Sequence, residues 1–154
     1  MDFLPLFQRL EATTIGTVVR ESLWMFPVIE CVHLLALALL GGAVLLVDLR
    51  LLGFGLVNQP VDLLARKADP WLLVAWIAII FTGIPMFLSE ATKCYYSPPF
   101  FCKIGLLAIA SIYTFTYRRR VTRKLAHGRA PLTACTSMAL WLGVGFAGRW
   151  IAFY

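Results

Sequence analysis

Charge is what this 154-residue chain has least of. Asp, Glu, Lys and Arg make up 14% of it, against about 25% in a soluble globular domain. Hydrophobic residues make up 60%, so polar side chains are too few to cover a surface facing water. That excludes an ordinary soluble enzyme, a disordered chain and a secreted disulfide scaffold. There is no Cys-x-x-Cys or zinc-type spacing, no phosphate-binding loop, no Ser/His/Asp set and no nucleic-acid motif. Internal repeats and low-complexity tracts are missing too. Histidine occurs twice, and only His33 falls in an apolar stretch.

What the chain does have is apolar length. Runs at about 24–53, 70–90, 99–117 and 132–154 each provide the roughly 20 residues that cross a bilayer as a helix. The fold expected is all-α: an integral membrane bundle of four transmembrane helices forming one domain over residues 1–154. Residues 2–21 differ. Phe3, Leu6, Phe7, Leu10 and Val18 are interrupted by Asp2, Arg9, Glu11, Arg20 and Glu21. This segment carries acids at both ends and lacks a long apolar core, unlike a cleaved signal peptide. It reads as an amphipathic helix lying on the outer membrane surface, with Pro5 in its first turn. Pro70 suits the first turn of the second span. Pro85, inside that span, has no N–H to offer the Phe81 carbonyl and predicts a kink. Trp24 at one end of the chain, and Trp150, Phe153 and Tyr154 at the other, suit interfacial belts.

The charges that exist are unevenly placed. Lys and Arg number 14 against 8 acids, a net +6. The dense run is RRRVTRKLAHGRAP, with Arg118, Arg119, Arg120, Arg123, Lys124 and Arg129. Arg50, Arg66 and Lys67 flank the connection between the first two spans. Short basic loops stay in the cytoplasm. Loops 54–69 and 118–131 are therefore expected on the cytoplasmic side of a bacterial inner membrane, with both termini outside. The basic excess then reports topology and names no nucleic-acid partner. In this orientation Glu30 and His33 lie about 9 and 13 Å below the outer end of the first span, Lys103 about 6 Å and Arg149 about 7 Å into theirs. Glu90 and Lys93 stand at the outer end of the second. Two readings stay open. The groups form a chamber for a ligand or cofactor, or they hold helices together, with Glu30 paired to Lys103 or Arg149.

Glu30 and His33 are three residues apart and share a helix face. Imidazole is a haem and metal ligand that a carboxylate can orient, which makes His33 the candidate ligand and Glu30 its partner. An interhelical hydrogen bond or a proton relay through Glu30, His33 and Glu90 are the other readings. His127 reads as a solvated loop residue. Cys94 and Cys102 fall at the same outer face, where an oxidising compartment would let them form a disulfide. Cys31 and Cys135 read as small apolar fillers. Ala38 with Gly42, and Gly143 with Ala147, have the spacing that lets helices approach closely, within the bundle or between protomers. Asp48 is expected to pair with one of Arg118–Arg120.

The run ESLWMFPVIECVHLLALALLGGAVLLVDLRLLG, together with IFTGIPMFLSEATKCYYSPPFFCKIGLL, resembles an uncharacterised family of bacterial four-helix inner-membrane proteins over nearly the whole chain. More remotely, His33, Arg50 seventeen residues on, and Lys103 opening the third span are similar in layout to membrane protoporphyrinogen oxidases of the haem-b type and copper-resistance D-type proteins. That resemblance implies His33 as a haem or metal ligand, with Lys103 near the same site. The second axial position would fall to Lys103, Met86, water or another protomer. The function expected is a small haem-b- or metal-dependent redox protein, with Lys103 and Arg149 holding acidic groups such as propionates. The alternatives are an accessory subunit of a membrane complex, and a small proton- or cation-linked carrier. The partners expected are the lipid bilayer and, for the oligomeric readings, further copies or complex subunits.

Overall fold

The computed structural model describes residues 3–56, 58–124 and 130–153. Among them there are helices and no strands. Asp2, His127, Arg129 and Tyr154 lie outside the described residues. The elements are α1 (Leu4–Glu11), α2 (Thr14–Glu21), α3 (Met25–Leu51), α4 (Val61–Ser89), α5 (Ala91–Tyr95), α6 (Pro98–Ile112), a π-helical segment (Tyr113–Arg118), α7 (Arg119–Lys124), α8 (Ala130–Trp150) and a 3-10 turn (Ile151–Phe153). Four stretches are long and apolar enough to cross a membrane: Met25–Leu51, Val61–Ser89, Pro98–Thr122 and Ala130–Trp150. In hydrocarbon a helix satisfies every backbone polar group internally, which is why apolar runs of this length take that form.

The central seam joins α3 and α4. Ala36, Leu40 and Val44 from α3 meet Leu72, Ala75 and Ile79 from α4, with Trp76 and Trp141 packed against them. Nearer the arginine-rich end, Val47 and Leu51 meet Ala65, Ala68 and Ala134. Buried positions recur at three- and four-residue steps along both helices, as a helix–helix seam requires. The outward faces of the helices carry exposed Leu34 and Leu35 (α3), Phe81 (α4), Ile112 (α6) and Phe146 (α8). Exposed apolar surface this extensive is covered by lipid tails in a membrane protein.

Three features differ from expectation. First, the N-terminal segment is two helices. Thr13 breaks them: its hydroxyl donates to the Leu10 carbonyl (2.7 Å) and accepts from the Gly16 N–H (3.4 Å). Pro5 does sit in the first turn of α1. Second, α4 begins at Val61, nine residues before Pro70, and runs through both prolines. Pro70 has no N–H to offer the Arg66 carbonyl, at a level where the helix carries the charged Asp62, Arg66, Lys67 and Asp69. Third, the third span leaves α-geometry at Tyr113–Arg118. A π-turn inserts an extra residue and re-aims the side chains that follow.

The ends of α3 and α2 show how local sequence sets the boundaries. Gly53 has φ +84°; its N–H donates to the Arg50 carbonyl (3.1 Å), and the Phe54 N–H donates to the Leu49 carbonyl (2.8 Å). This is the paired closure that a left-handed residue gives a helix C-terminus. Gly16 of α2 lies against the end of α4. A Cβ there would stand 2.5 Å from the Leu88 carbonyl oxygen and 2.7 Å from that of Glu11. Only glycine permits this backbone-to-backbone crossing. Thus α1 and α2 dock on the end of the bundle, where Phe7 packs on Phe87 and Tyr95.

Candidate site at the capped end

Beneath this cap lies a cavity of ≈ 350 Å³. α3 contributes Phe26, Glu30 and His33 to its wall; α4 contributes Gly83, Met86 and Phe87. Glu90, Lys93 and Cys94 come from the junction and α5, Phe100 and Lys103 from α6, and Gly148 and Ile151 from the end of the fourth span. Four of the expected residues (Glu30, His33, Glu90 and Lys103) therefore converge. His33 is 6% exposed. Glu30 stands at the exposed rim and forms no ion pair among the described residues.

Arg149 is not part of this site. It is exposed, with its guanidinium 5.5 Å from the centre of the Phe153 ring. The reason is helical phase. Val144 and Ala147 face the bundle, and Arg149 follows Ala147 by two residues, about 200° round the helix. Gly148 faces inward instead. A Cβ on it would lie 3.5–3.7 Å from the end of the Lys103 side chain, so Lys103 rests along α8. Lys103 has no carboxylate within 4 Å among the described residues.

Sequence reasoning missed Thr82, which sets the chemistry of His33. His33 Nδ1 lies 2.7 Å from the Thr82 hydroxyl oxygen, and that hydroxyl lies 2.6 Å from the Ala78 carbonyl oxygen. A hydroxyl has one hydrogen. Donated to Ala78, it leaves the Thr82 oxygen as acceptor from His33 Nδ1–H. A neutral ring would then carry its lone pair on Nε2, and His33 lines the cavity. Gly83 lets the ring lie close to α4, since a Cβ there would meet His33 Cε1 at 3.6 Å. The signal in the sequence was a lone threonine in an apolar run; its partner could not be read without the register of α3 on α4.

The cysteines depart from expectation. All four are free thiols. Cys94 is buried against the cavity and Cys102 is exposed, one residue and about 100° round α6 from inward-facing Lys103. The expected bridge is not formed. Cys31 and Cys135 are also exposed, not core fillers. Burial, then the Glu90 carboxylate, pushes the Cys94 thiol up to about 11, so it is no ready thiolate nucleophile. Glu90 itself faces Lys93 at 3.8 Å, with both side chains nearly half exposed. An ion pair of this kind contributes at most about 1 kcal/mol.

Above the cavity, Glu11 fastens the cap. One carboxylate oxygen accepts from the Thr92 backbone N–H (2.7 Å) and the other from Arg20 (2.9 Å). The hydrogen bonds from Thr92, helped by Arg20 and opposed by burial, hold the Glu11 carboxyl below the ordinary glutamate range.

At the opposite end, Asp48 pairs with Arg118 as the sequence predicted. Nε donates to Oδ1 at 2.7 Å, with the two side chains 4% and 0% exposed. The same guanidinium donates to the Val44 carbonyl at 3.2 Å. Arg118 is the last residue of the π-segment, which turns it inward. Arg119 instead donates twice to Asp69, at 2.7 and 2.9 Å, and Arg120 is exposed. No group of three or more His, Cys, Asp and Glu that could hold a metal ion occurs among the described residues.

The chain belongs to a family of unknown function, DUF6644, which it matches over residues 7–154. No curated protein and no solved structure matches it. Family membership agrees with the first resemblance; the remoter one, to protoporphyrinogen oxidases and copper-resistance proteins, gains no support from these comparisons.

Proposed function

We propose that this multi-pass membrane protein is a small haem-b-binding redox protein, with the cavity under the α1–α2 cap as its site and His33 as axial ligand. One observation carries the reading. The Ala78–Thr82–His33 chain holds the imidazole by Nδ1, which would leave the Nε2 lone pair free on a residue that lines a cavity with Lys103 and Met86. Ligating histidines are oriented in this way, by a hydrogen bond from the other ring nitrogen. The donor set favours haem over a lone metal ion. Protein-held ions need three or four ligands, whereas haem asks one or two of the protein. The donor set carries the reading more than the volume does, because ≈ 350 Å³ is near the lower end of small-molecule sites at roughly 300–1,000 Å³.

Haem, when bound, would supply one-electron exchange. The chain's own residues do the rest. Thr82 holds the His33 ring. Met86 and Lys103, which also line the cavity, would be the further residues able to hold haem. Lys93, and Lys103 where it is not a ligand, attract acidic substituents. Glu30 and Glu90 at the mouth can exchange protons with water. A porphyrin, a quinol or a membrane redox partner is the matching substrate class. The carrier reading is less favoured: between His33 and Asp48 the α3–α4 seam is the apolar cluster Ala36, Leu40, Val44, Leu72, Ala75 and Ile79, and the polar groups beside it, Trp76 with Ser111 and Trp141 with Thr114, are uncharged and bonded to one another.

The arginine-rich end supports a cytoplasmic placement, leaving cap and cavity on the outer side of a bacterial inner membrane. Haem titration into the detergent-purified protein tests the function. A Soret band is expected that His33→Ala loses and Cys102→Ala keeps. A protein that stays colourless after haem supplementation contradicts the reading and returns the cluster to a structural role in an accessory subunit.

A further inference from the structure

A second cavity, of ≈ 500 Å³, lies between α3 and α4 toward the arginine-rich end. Its floor is small: Ala38, Gly42, Ala43 and Ala68, and a Cβ built on Gly42 meets nothing within 4 Å. Lys67 and Trp71 stand at its rim. We infer that this groove seats an acyl chain of an anionic phospholipid whose headgroup is held by Lys67. Charge complementarity argues for that occupant. At this end Arg66, Arg118 and Arg119 pair with Asp62, Asp48 and Asp69. Lys67 is exposed and forms no ion pair among the described residues. Its depth agrees. α4 has 29 residues, about 43 Å of helix against about 30 Å of hydrocarbon. With the far end of α4 at the opposite boundary, about 13 Å of it extends beyond the hydrocarbon here; Lys67, about 9 Å from its start, then lies at phosphate level and Trp71, about 15 Å from it, at the headgroup boundary. The small-residue floor could also admit a second copy. Parallel copies, however, would bring their like-charged arginine-rich ends to the same level, whereas an anionic headgroup is attracted there.

Native mass spectrometry of the full chain, titrated with phosphatidylglycerol or phosphatidylcholine, tests this. One retained phosphatidylglycerol is expected, with Lys67→Gln weakening it about fivefold, the worth of one lysine at an anionic surface. Phosphatidylcholine retention should not change in that variant. Gly42→Leu, which has room to fold, should reduce retention of both lipids by filling the groove. Equal retention of the two lipids, unchanged by Lys67→Gln, overturns the inference. So does a dimer peak that Gly42→Leu abolishes while lipid retention stays constant, which would make the groove a copy–copy interface.

Discussion

The bundle has a polar cluster at each end, and they are built on opposite principles. At the arginine-rich end Asp48 and Arg118 satisfy one another, and the guanidinium is further bonded to the Val44 carbonyl. Ser137 lies against the Asp48 carboxylate, and Asp48 Oδ2 and Ser137 Oγ are both sealed inside the protein. At the capped end one nitrogen of His33 is hydrogen-bonded to Thr82 and the residue lines a cavity, and Lys103 has no ion-pair partner among the described residues. A cluster closed on itself fixes helix positions. A cluster with unspent valences and room beside it is where a ligand can be held.

The largest expected effect separates the two ends. Arg118→Ala leaves a buried carboxylate uncompensated and should cost roughly 3–5 kcal/mol in unfolding measurements. The double variant Asp48→Leu/Arg118→Met should recover most of that, since a well-packed apolar pair often replaces a buried ion pair without loss. Equal destabilisation in single and double variants would break the picture of a self-satisfied pair. Next, Gly16→Val must push α2 off Leu88 and Glu11, at about 1–3 kcal/mol; limited proteolysis between residues 12 and 24 should accelerate while the four spans stay resistant. Thr82→Val should leave the fold intact and weaken haem binding about 10–100-fold, the usual cost of losing the group that orients a ligating histidine. A Thr82→Val protein that binds as well as the parent would detach the site from its hydrogen-bond chain.

The smallest effect concerns pH. Glu11 has a carboxyl depressed by Thr92 and Arg20. Its contribution to docking the cap is present above the ordinary glutamate value and is lost as pH falls through the depressed one. Hydrogen-exchange protection of α1 and α2 amides, taken relative to their intrinsic rates, should fall below the ordinary glutamate value of 4.5, and Glu11→Gln should show that lower protection already at neutral pH.

Much of this fold was legible because membrane helices are specified by apolar length, which sequence displays openly. The Asp48–Arg118 pair was legible because few acids and bases exist and both sit at the same depth. Depth also placed Glu30, His33, Glu90 and Lys103 together. What depth cannot give is rotation about the helix axis. Arg149 shares the level of Lys103 yet faces outward, and Cys102 turns away from Cys94. A span apolar on every side carries little signal for its phase. The π-segment and the Gly16 crossing were hidden for a related reason: each is decided by a tertiary contact, Arg118 with Asp48 and α2 with α4, that no local pattern announces.

The account rests on which nitrogen of His33 carries the proton. Nitrogen-15 NMR of the ligand-free protein in detergent, with His127→Gln so that one histidine remains, reads this directly. A neutral ring protonated at Nδ1 and bare at Nε2 is the predicted result. A ring protonated at Nε2, with Nδ1 accepting from Thr82, would leave no lone pair for a ligand in the cavity and would contradict the account.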